Sequence, residues 1–301
     1  MPIAAPIPAD ETGFDRLLRF GIPERNARGR VVRLGPVLDE ILAAHAYPPP
    51  IRRLLAEALV VTALLGGLLK DGGQLTIQAQ TEGGVVALLV CDYREGELRG
   101  YVRHDRERLA ALGPNPSLYA LFGRGYLAIT FDLATTSQRY QGIVPLEGNS
   151  LAEACHSYFA QSEQEPTLIR VGVGDGAAGC VGGGLLVQHL AEGEEGRERL
   201  HVRLDHPEWD HVAVLAGSTK LEELVDPALS LEALVWRLFH EEAQVRVERG
   251  AVLVRGCRCS VEHYARVLGQ FPEEDRAAMR DESGAIVVDC EFCSKKFAIS
   301  A

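Results

Sequence analysis

The sequence lacks the surplus of positive charge that a polyanion demands of its partner. Its 31 Lys and Arg stand against 42 Asp and Glu, a formal net charge of -11, and the isoelectric point lies near 5.4. Nucleic acid and anionic membrane are therefore disfavoured as main partners, since both require a basic face. Long apolar runs are also missing. The longest uncharged one, Ala58 to Leu69, is too short to span about 30 Å of hydrocarbon. The opening Met1-Pro2-Ile3-Ala4-Ala5-Pro6 has neither a basic nor an apolar targeting region, so no signal peptide is expected. There is no internal repeat or low-complexity tract, and no Ser/His/Asp order or paired-carboxylate spacing stands out. Aromatics make up only 6% of the 301 residues, whereas 31 Gly fit a chain with many turns. What remains is a cytoplasmic protein, 47% hydrophobic, able to bury a good core in two or three domains. In that compartment thiols stay reduced, so an odd total of seven cysteines raises no difficulty.

In chain order, a Pro-rich opening leads to Phe14 to Phe20, which reads as a short strand or helix, and to a strand over Arg30 to Leu34. Val37, Ile41, Leu42 and Ala44 share a helical face up to Ala46, and Pro48-Pro49-Pro50 stops the run. A second helix, Ile51 to Leu69, is apolar all round after Arg52 and Arg53, as a central core helix is. From Asp71 the period becomes two. Gln74 to Gln80 alternates, Val85 to Cys91 runs on as a buried strand, and Leu98 to Arg103, Tyr126 to Phe131 and Tyr140 to Val144 continue a meander. Short turns between successive strands mean antiparallel pairing, hence an α+β body. Ser150 caps a helix reaching Gln164, with Leu151, Cys155, Tyr158 and Phe159 on one face and Pro166 as its stop. Leu168 to Val171 and Leu185 to Val187 are the last strands of a first domain, 1–190.

Between Glu192 and Gly250 the chain holds 14 Asp and Glu against 7 Lys and Arg. Leu231, Leu234, Val235, Leu238 and Phe239 recur at helical spacing behind Ser230, and Trp209 to Val225 is a weaker amphipathic helix. Apolar stripes on a charged segment must dock on a neighbour, so 191–250 reads as a helical, acidic linker of conditional stability. In 251–301, Ser260 to Leu268 and Pro272 to Arg280 read as helices, and Ile286 to Val288 and Lys296 to Ile299 as strands.

Most motifs outside that tail have bland explanations. Gly174-Asp175-Gly176-Ala177-Ala178-Gly179 matches a dinucleotide loop literally, yet the next element is another strand, with no helix N-terminus to hold a pyrophosphate. It reads as a hairpin turn. Cys91, Cys155 and Cys180 sit alone in apolar text and read as inert buried thiols. The nine histidines are scattered, and Glu241-Glu242 after His240 reads as a solvated helix end. His263 lies four residues after Cys259, within reach of a Cys₃His site, but four cysteines already suffice.

Those four are Cys257-Arg258-Cys259 and Cys290-Glu291-Phe292-Cys293. Two tight thiol pairs in so short a stretch read as a tetrahedral zinc site, one ion per chain. A single residue between the first two is unusual spacing for a zinc ribbon. The bland version is a closed staple that folds the tail. A module of this size buries too little surface to be more than marginally stable. Structural zinc in such peptides contributes about 10–16 kcal/mol of apparent binding free energy, against about 5–15 kcal/mol for the whole stability of a typical domain. Losing the metal then unfolds the module. Zinc-bound sulfurs are thiolates, the form oxidants attack. Each pair is close enough in sequence to close on itself, and a Cys257–Cys259 disulfide needs a local backbone incompatible with the zinc form.

This quartet resembles the redox switch of the 33-kilodalton heat-shock protein family, the redox-regulated holdase chaperones. The resemblance runs along nearly the whole chain. It includes Leu55 to Leu65, Arg139-Tyr140-Gln141-Gly142-Ile143-Val144, Leu146-Glu147-Gly148 and Val235-Trp236-Arg237-Leu238-Phe239-His240-Glu241-Glu242. It departs in a longer N-terminal extension and an early stop after the final strand. The resemblance implies an α+β body, a helical linker lying on it, and a Cys₄ zinc module holding the linker down. It implies a non-enzymatic, ATP-independent chaperone that is inactive when reduced and zinc-bound. Oxidation to Cys257–Cys259 and Cys290–Cys293 disulfides would eject zinc and expose apolar surface to unfolding clients, with the active form a homodimer.

Two other classes compete with it. A thiol–disulfide oxidoreductase using Cys290 and Cys293 needs its C-x-x-C opening a helix, whereas here the motif lies between strands. A zinc-ribbon nucleic-acid adaptor needs a basic module, and 251–301 holds 7 Lys and Arg against 8 Asp and Glu.

Overall fold

One apolar helix between two antiparallel sheets organises the protein. A computed structural model describes residues 13–69, 72–134, 138–163, 165–176, 179–190 and 207–299. The Pro-rich opening, Asp71, Gln164 at the end of the expected helix, Ala177 and Ala178 of the glycine-rich motif and residues 191–206 of the acidic segment lie outside the described residues.

Strands β1 (Arg16–Ile22) and β2 (Ala27–Leu34) form a hairpin, so the ambiguous Phe14 to Phe20 segment is a strand. Helix α1 (Pro36–Leu42) follows, then α2 (Pro49–Gly66). The prolines expected to stop the first helix also open the second. Pro49 and Pro50 occupy its first turn, where a missing N–H goes unneeded and the fixed φ is already helical. Leu55, Leu59, Val60, Leu64 and Leu65 are fully buried on several sides of α2, because sheets cover both of its flanks.

The second sheet begins with β3 (Gln74–Thr81), β4 (Val86–Arg94) and β5 (Glu97–His104). Short helices α3 (Arg106–Ala110) and α4 (Leu118–Phe122) lead to β6 (Gly125–Leu133) and β7 (Gln138–Pro145). Helix α5 (Leu151–Tyr158), capped by Ser150, ends in a π turn over Phe159–Glu163. Its Leu151, Cys155, Tyr158 and Phe159 are buried, as their spacing requires. Strands β8 (Thr167–Gly176) and β9 (Gly179–His189) then pair as an antiparallel hairpin with Gly176 opposite Gly179. The G-x-G-x-x-G text is thus a hairpin connection.

Helices α6 (Pro207–Gly217), α7 (Leu221–Val225) and α8 (Leu231–Phe239) come next. The single helix expected over Trp209 to Val225 is broken. Ser218 and Thr219 donate their hydroxyls back to the carbonyls of Leu215 and Ala216, each at 2.7 Å, and such bonds compete with helix propagation. The helices lay Trp209, Val212, Leu234, Val235 and Phe239 on Leu18, Phe20, Val31, Leu185 and Val187 of the first sheet. Phe239 and Phe20 meet with ring centroids 5.4 Å apart.

Two strands within 246–255 were not expected. β10 (Arg246–Val252) pairs with β1, and the short β11 (Val254–Arg255) runs parallel to β5. The first sheet has the order β10-β1-β2-β9-β8 and the second β11-β5-β4-β3-β6-β7. The last segment holds α9 (Val261–Leu268), α10 (Glu273–Met279) and the hairpin β12 (Ile286–Asp289) with β13 (Lys296–Ile299). The architecture is α+β with antiparallel sheets, packed helices and a cysteine cluster at the C-terminal end.

Candidate metal centre

The pairing of β11 with β5 delivers the first cysteine pair. Gly256 donates its amide to the carbonyl of Leu98 at 2.9 Å, which carries the chain directly into Cys257. A Cβ on Gly256 would stand 2.4 Å from Cβ of Glu97, so only glycine allows the two backbones this approach. The second pair sits on the turn between β12 and β13. Ser294 adopts φ +56° and donates its amide to the carbonyl of Cys290 at 2.8 Å, while the Cys290 amide bonds to Lys295 at 2.9 Å. This knuckle turns Cys290 and Cys293 inward, and both are buried.

The four sulfurs lie within 4.8 Å of one another. Cys257 and Cys259 are 3.2 Å apart, Cys257 and Cys290 3.6 Å, Cys259 and Cys293 3.5 Å. A tetrahedron with Zn–S bonds of about 2.3 Å has edges of about 3.8 Å. The donor set therefore fits zinc in number, softness and size, with ligand atoms already gathered. All seven cysteines are free thiols.

Burial and the neighbouring thiols push Cys259 up, and burial likewise raises Cys293. Cys290 goes the other way. Burial opposes its ionisation, but the Tyr264 hydroxyl and the backbone amides of the knuckle bring it down to about 7. Four thiols this close cannot all ionise on their own, and a dication at their centre is what lets them. His263 does not join the cluster; its ring stacks edge-on with Tyr264 at 5.4 Å. Leu268, Ile286 and Ile299 form the buried apolar cluster beside the site, too small to hold a fold of this length alone.

The ligand loops also dock the module onto the body. On β5, Leu98, Gly100 and Val102 face the core, which leaves Arg99, Tyr101 and Arg103 on the outer face. Phe292, between the knuckle cysteines, meets Tyr101 edge-on at 5.0 Å, and the Arg99 guanidinium lies 4.0 Å from its ring centre. Glu291 pairs with Arg103 at 3.2 Å. His45 donates Nε2–H to the Glu291 carbonyl at 2.8 Å and accepts from the Ser294 hydroxyl at 3.1 Å. From the other loop, Arg258 donates to Gln74 at 3.1 Å and faces Asp92 at 3.7 Å. Burial and the adjacent Arg99 and Arg94 guanidiniums make Arg258 less basic than usual. These docking partners carry no sequence motif, although the alternation along β5 marks its outward positions.

Cys91, Cys155 and Cys180 are buried and stand outside this cluster, and burial raises each thiol, Cys180 to about 11. They are core residues, as their apolar context suggests.

An α+β body carrying a C-terminal cluster of four thiols defines a known class of chaperone. The family described as Hsp33 protein matches residues 15–300. A 33 kDa chaperonin from Caulobacter vibrioides is 40% identical, with 97% of each chain covered. Another from Pseudomonas aeruginosa is 36% identical over 95% of this chain and 92% of that protein. The crystal structure of the 33 kDa chaperonin from Thermotoga maritima shares the fold, with a TM-score of 0.76, 24% identity and 95% of both chains covered. The chain belongs to the Hsp33 family of chaperones. Among the described residues no helix is long and apolar enough to cross a membrane.

Proposed function

We propose that the protein is a redox-regulated, ATP-independent holdase that acts by binding and not by catalysis. Cys257, Cys259, Cys290 and Cys293 hold one zinc ion in the reduced, inactive form. Zinc, when bound, keeps four clustered sulfurs as thiolates at neutral pH. Oxidation forms Cys257–Cys259 and Cys290–Cys293 disulfides. Each pair gives two electrons to one peroxide, which takes up two protons and leaves as two waters. A bridged pair has no thiolate left to offer the ion.

The observation that carries this reading is that the ligand loops and the docking loops are the same residues. Phe292 lies between two ligands and Arg258 between the other two, and both rest on the body. A change at the sulfurs is therefore a change at the docking face. Coupling to the helices runs along the chain, since β11 and β10 separate the cysteines from α8. The sulfur distances leave other pairings within reach, so the two disulfides rest on the family resemblance.

On this reading 1–190 is the chaperone core, 191–250 a metastable acidic linker and 251–301 the redox-switch domain. Release of the linker uncovers Leu18, Phe20, Val31, Leu185 and Val187 to apolar segments of unfolding clients. The protein works in the cytoplasm, pairs as a homodimer once oxidised, and takes neither nucleic acid nor membrane as partner, in keeping with its net charge of -11. Zinc, free thiols and suppression of client aggregation are measured together, before and after peroxide with mild warming. Zinc release, loss of four thiols and gain of suppression are expected in step. Equal activity of the reduced, zinc-loaded protein would sink the reading, and disulfide mapping tests the pairing.

A further inference from the structure

The cysteine module covers only the β5 side of the second sheet's outer face, where Phe292 and Glu291 rest on Tyr101, Arg99 and Arg103. Strand register carries the same face across β4, β3, β6 and β7. Val90, Gln78, Ala128 and Ile143 stand side by side in a row that continues from Tyr101. Leu88, Gln80, Tyr126 and Pro145 form the next row, continuing from Arg103.

From β4 to β7 these rows hold no charged residue, in a chain that is 24% charged. Ile143 is 59% exposed and Tyr126 is exposed as well. Charges stand at the border, in the Arg139–Asp132 pair and in Arg103. Depletion of charge at the centre, with an aromatic ring inside a charged rim, is the composition of a contact surface. Amides lie among the apolar side chains. Gln78 and the Tyr126 hydroxyl both donate to the Gln80 side-chain oxygen at 3.0 Å, and Gln141 donates to Thr130 at 2.9 Å. Each amide carries a donor and an acceptor, which is what a peptide group needs from a partner. The part already occupied shows what the face takes. The turn from Cys290 to Cys293 is a short peptide that sets the Phe292 ring edge-on against Tyr101.

We infer that the open rows of this face bind extended, uncharged stretches of polypeptide, their apolar side chains on Ile143, Val90, Leu88 and Tyr126 and their peptide groups on Gln78 and Gln80. The surface is continuous with the docking site of the module and separate from the first-sheet face beneath α6 to α8. Undocking of the module adds Tyr101 and Arg99 to it. That gain rests on the redox reading above; binding to the open rows does not.

The test follows the fluorescence anisotropy of a labelled, uncharged peptide that alternates Val and Phe with Ser and Thr. It is titrated with the full-length, reduced, zinc-loaded protein. Saturable binding is expected, little changed by salt. Ile143→Asp and Gln78→Glu each set an unpaired charge beneath the peptide and should weaken binding about tenfold, whereas Ile143→Val should keep it. Val214→Asp, at an exposed position of α6, should bind as the unmodified chain does. Absence of saturable binding, or equal affinity in Ile143→Asp and Gln78→Glu, overturns the site. Sedimentation in which Ile143→Asp loses self-association and keeps the peptide gives the face to a second copy, and overturns it too. After peroxide the unmodified chain should bind the peptide more tightly, and Ile143→Asp should suppress client aggregation less well. Undiminished suppression in both charged variants overturns the inference and leaves the redox reading standing. If no redox state suppresses aggregation, that reading fails while the peptide result stands.

Discussion

Arg33 on β2 donates its Nε–H to the backbone carbonyl of Leu224 at the end of α7, 2.9 Å away. The same guanidinium reaches the carbonyls of Leu229 at 2.7 Å and Glu223 at 3.1 Å. Its residue is 1% exposed, and burial holds it less basic than usual. A single body side chain thus satisfies the carbonyls where α7 ends. Substituting Arg33→Met should leave them unpaired at a cost on the order of 3 kcal/mol. Amide exchange over 221–239 should quicken while that of β3 to β6 stays slow. Unchanged exchange would show that apolar contacts alone hold these helices.

Glu242 makes a second tie. Its side chain is 4% exposed and meets Arg25 at 2.9 Å and His211 at 2.7 Å. Burial works against its ionisation, but the hydrogen bonds from Arg25 and His211 prevail and hold the carboxyl below the usual Glu value. A depressed carboxyl contributes stability that is present above the unfolded-state value, about 4.3, and is lost as pH falls through the folded one. Fluorescence of buried Trp209, on the helix that carries His211, should report α6 loosening on acidification below about pH 4.3. Glu242→Gln should flatten that acid transition, and an identical transition in the variant would assign it to other groups.

Phe292→Ala removes an edge-on ring contact and a cation–π contact but no ligand. Together these are worth about 1–3 kcal/mol. Zinc content should stay at one per chain, while limited proteolysis between 246 and 260 accelerates. Zinc loss in this variant would mean that Phe292 shapes the ligand knuckle itself.

Cys290→Ser removes a buried ligand. Zinc affinity should collapse, and with Leu268, Ile286 and Ile299 as its buried apolar cluster the module should unfold, losing amide protection over 286–299. In the same protein Cys91, Cys155 and Cys180 should resist alkylation at pH 8, because burial keeps their thiols protonated. Mass spectrometry resolves the sites. Modification of Cys91 or Cys155 in folded protein would contradict their placement in the core.

What could be read from the sequence was whatever a local pattern expresses. Spacing marks the Cys257–Cys293 ligand set, Ser150, Ser230 and Ser260 mark helix starts, and the even spread of apolar residues along 51–66 marks a helix covered on both sides. β10 was missed because an edge strand pairs through its backbone, and its Arg246, Glu248 and Arg249 face solvent as linker residues would. β11 is only two residues long. Arg33 and Asp92 carry charges, which predict the surface, yet both are buried because their partners come from distant segments.

By itself, the sequence determined the α+β class, the central helix, the hairpin at Gly174 to Gly179 and the four thiols, since each depends on neighbours a few residues away. Tertiary structure alone decided that Phe292 and Arg258 press the module onto β5. It also decided that Arg33 holds the helices lying on the first sheet. Those contacts join residues up to about two hundred positions apart, and packing the whole chain is what brings them together.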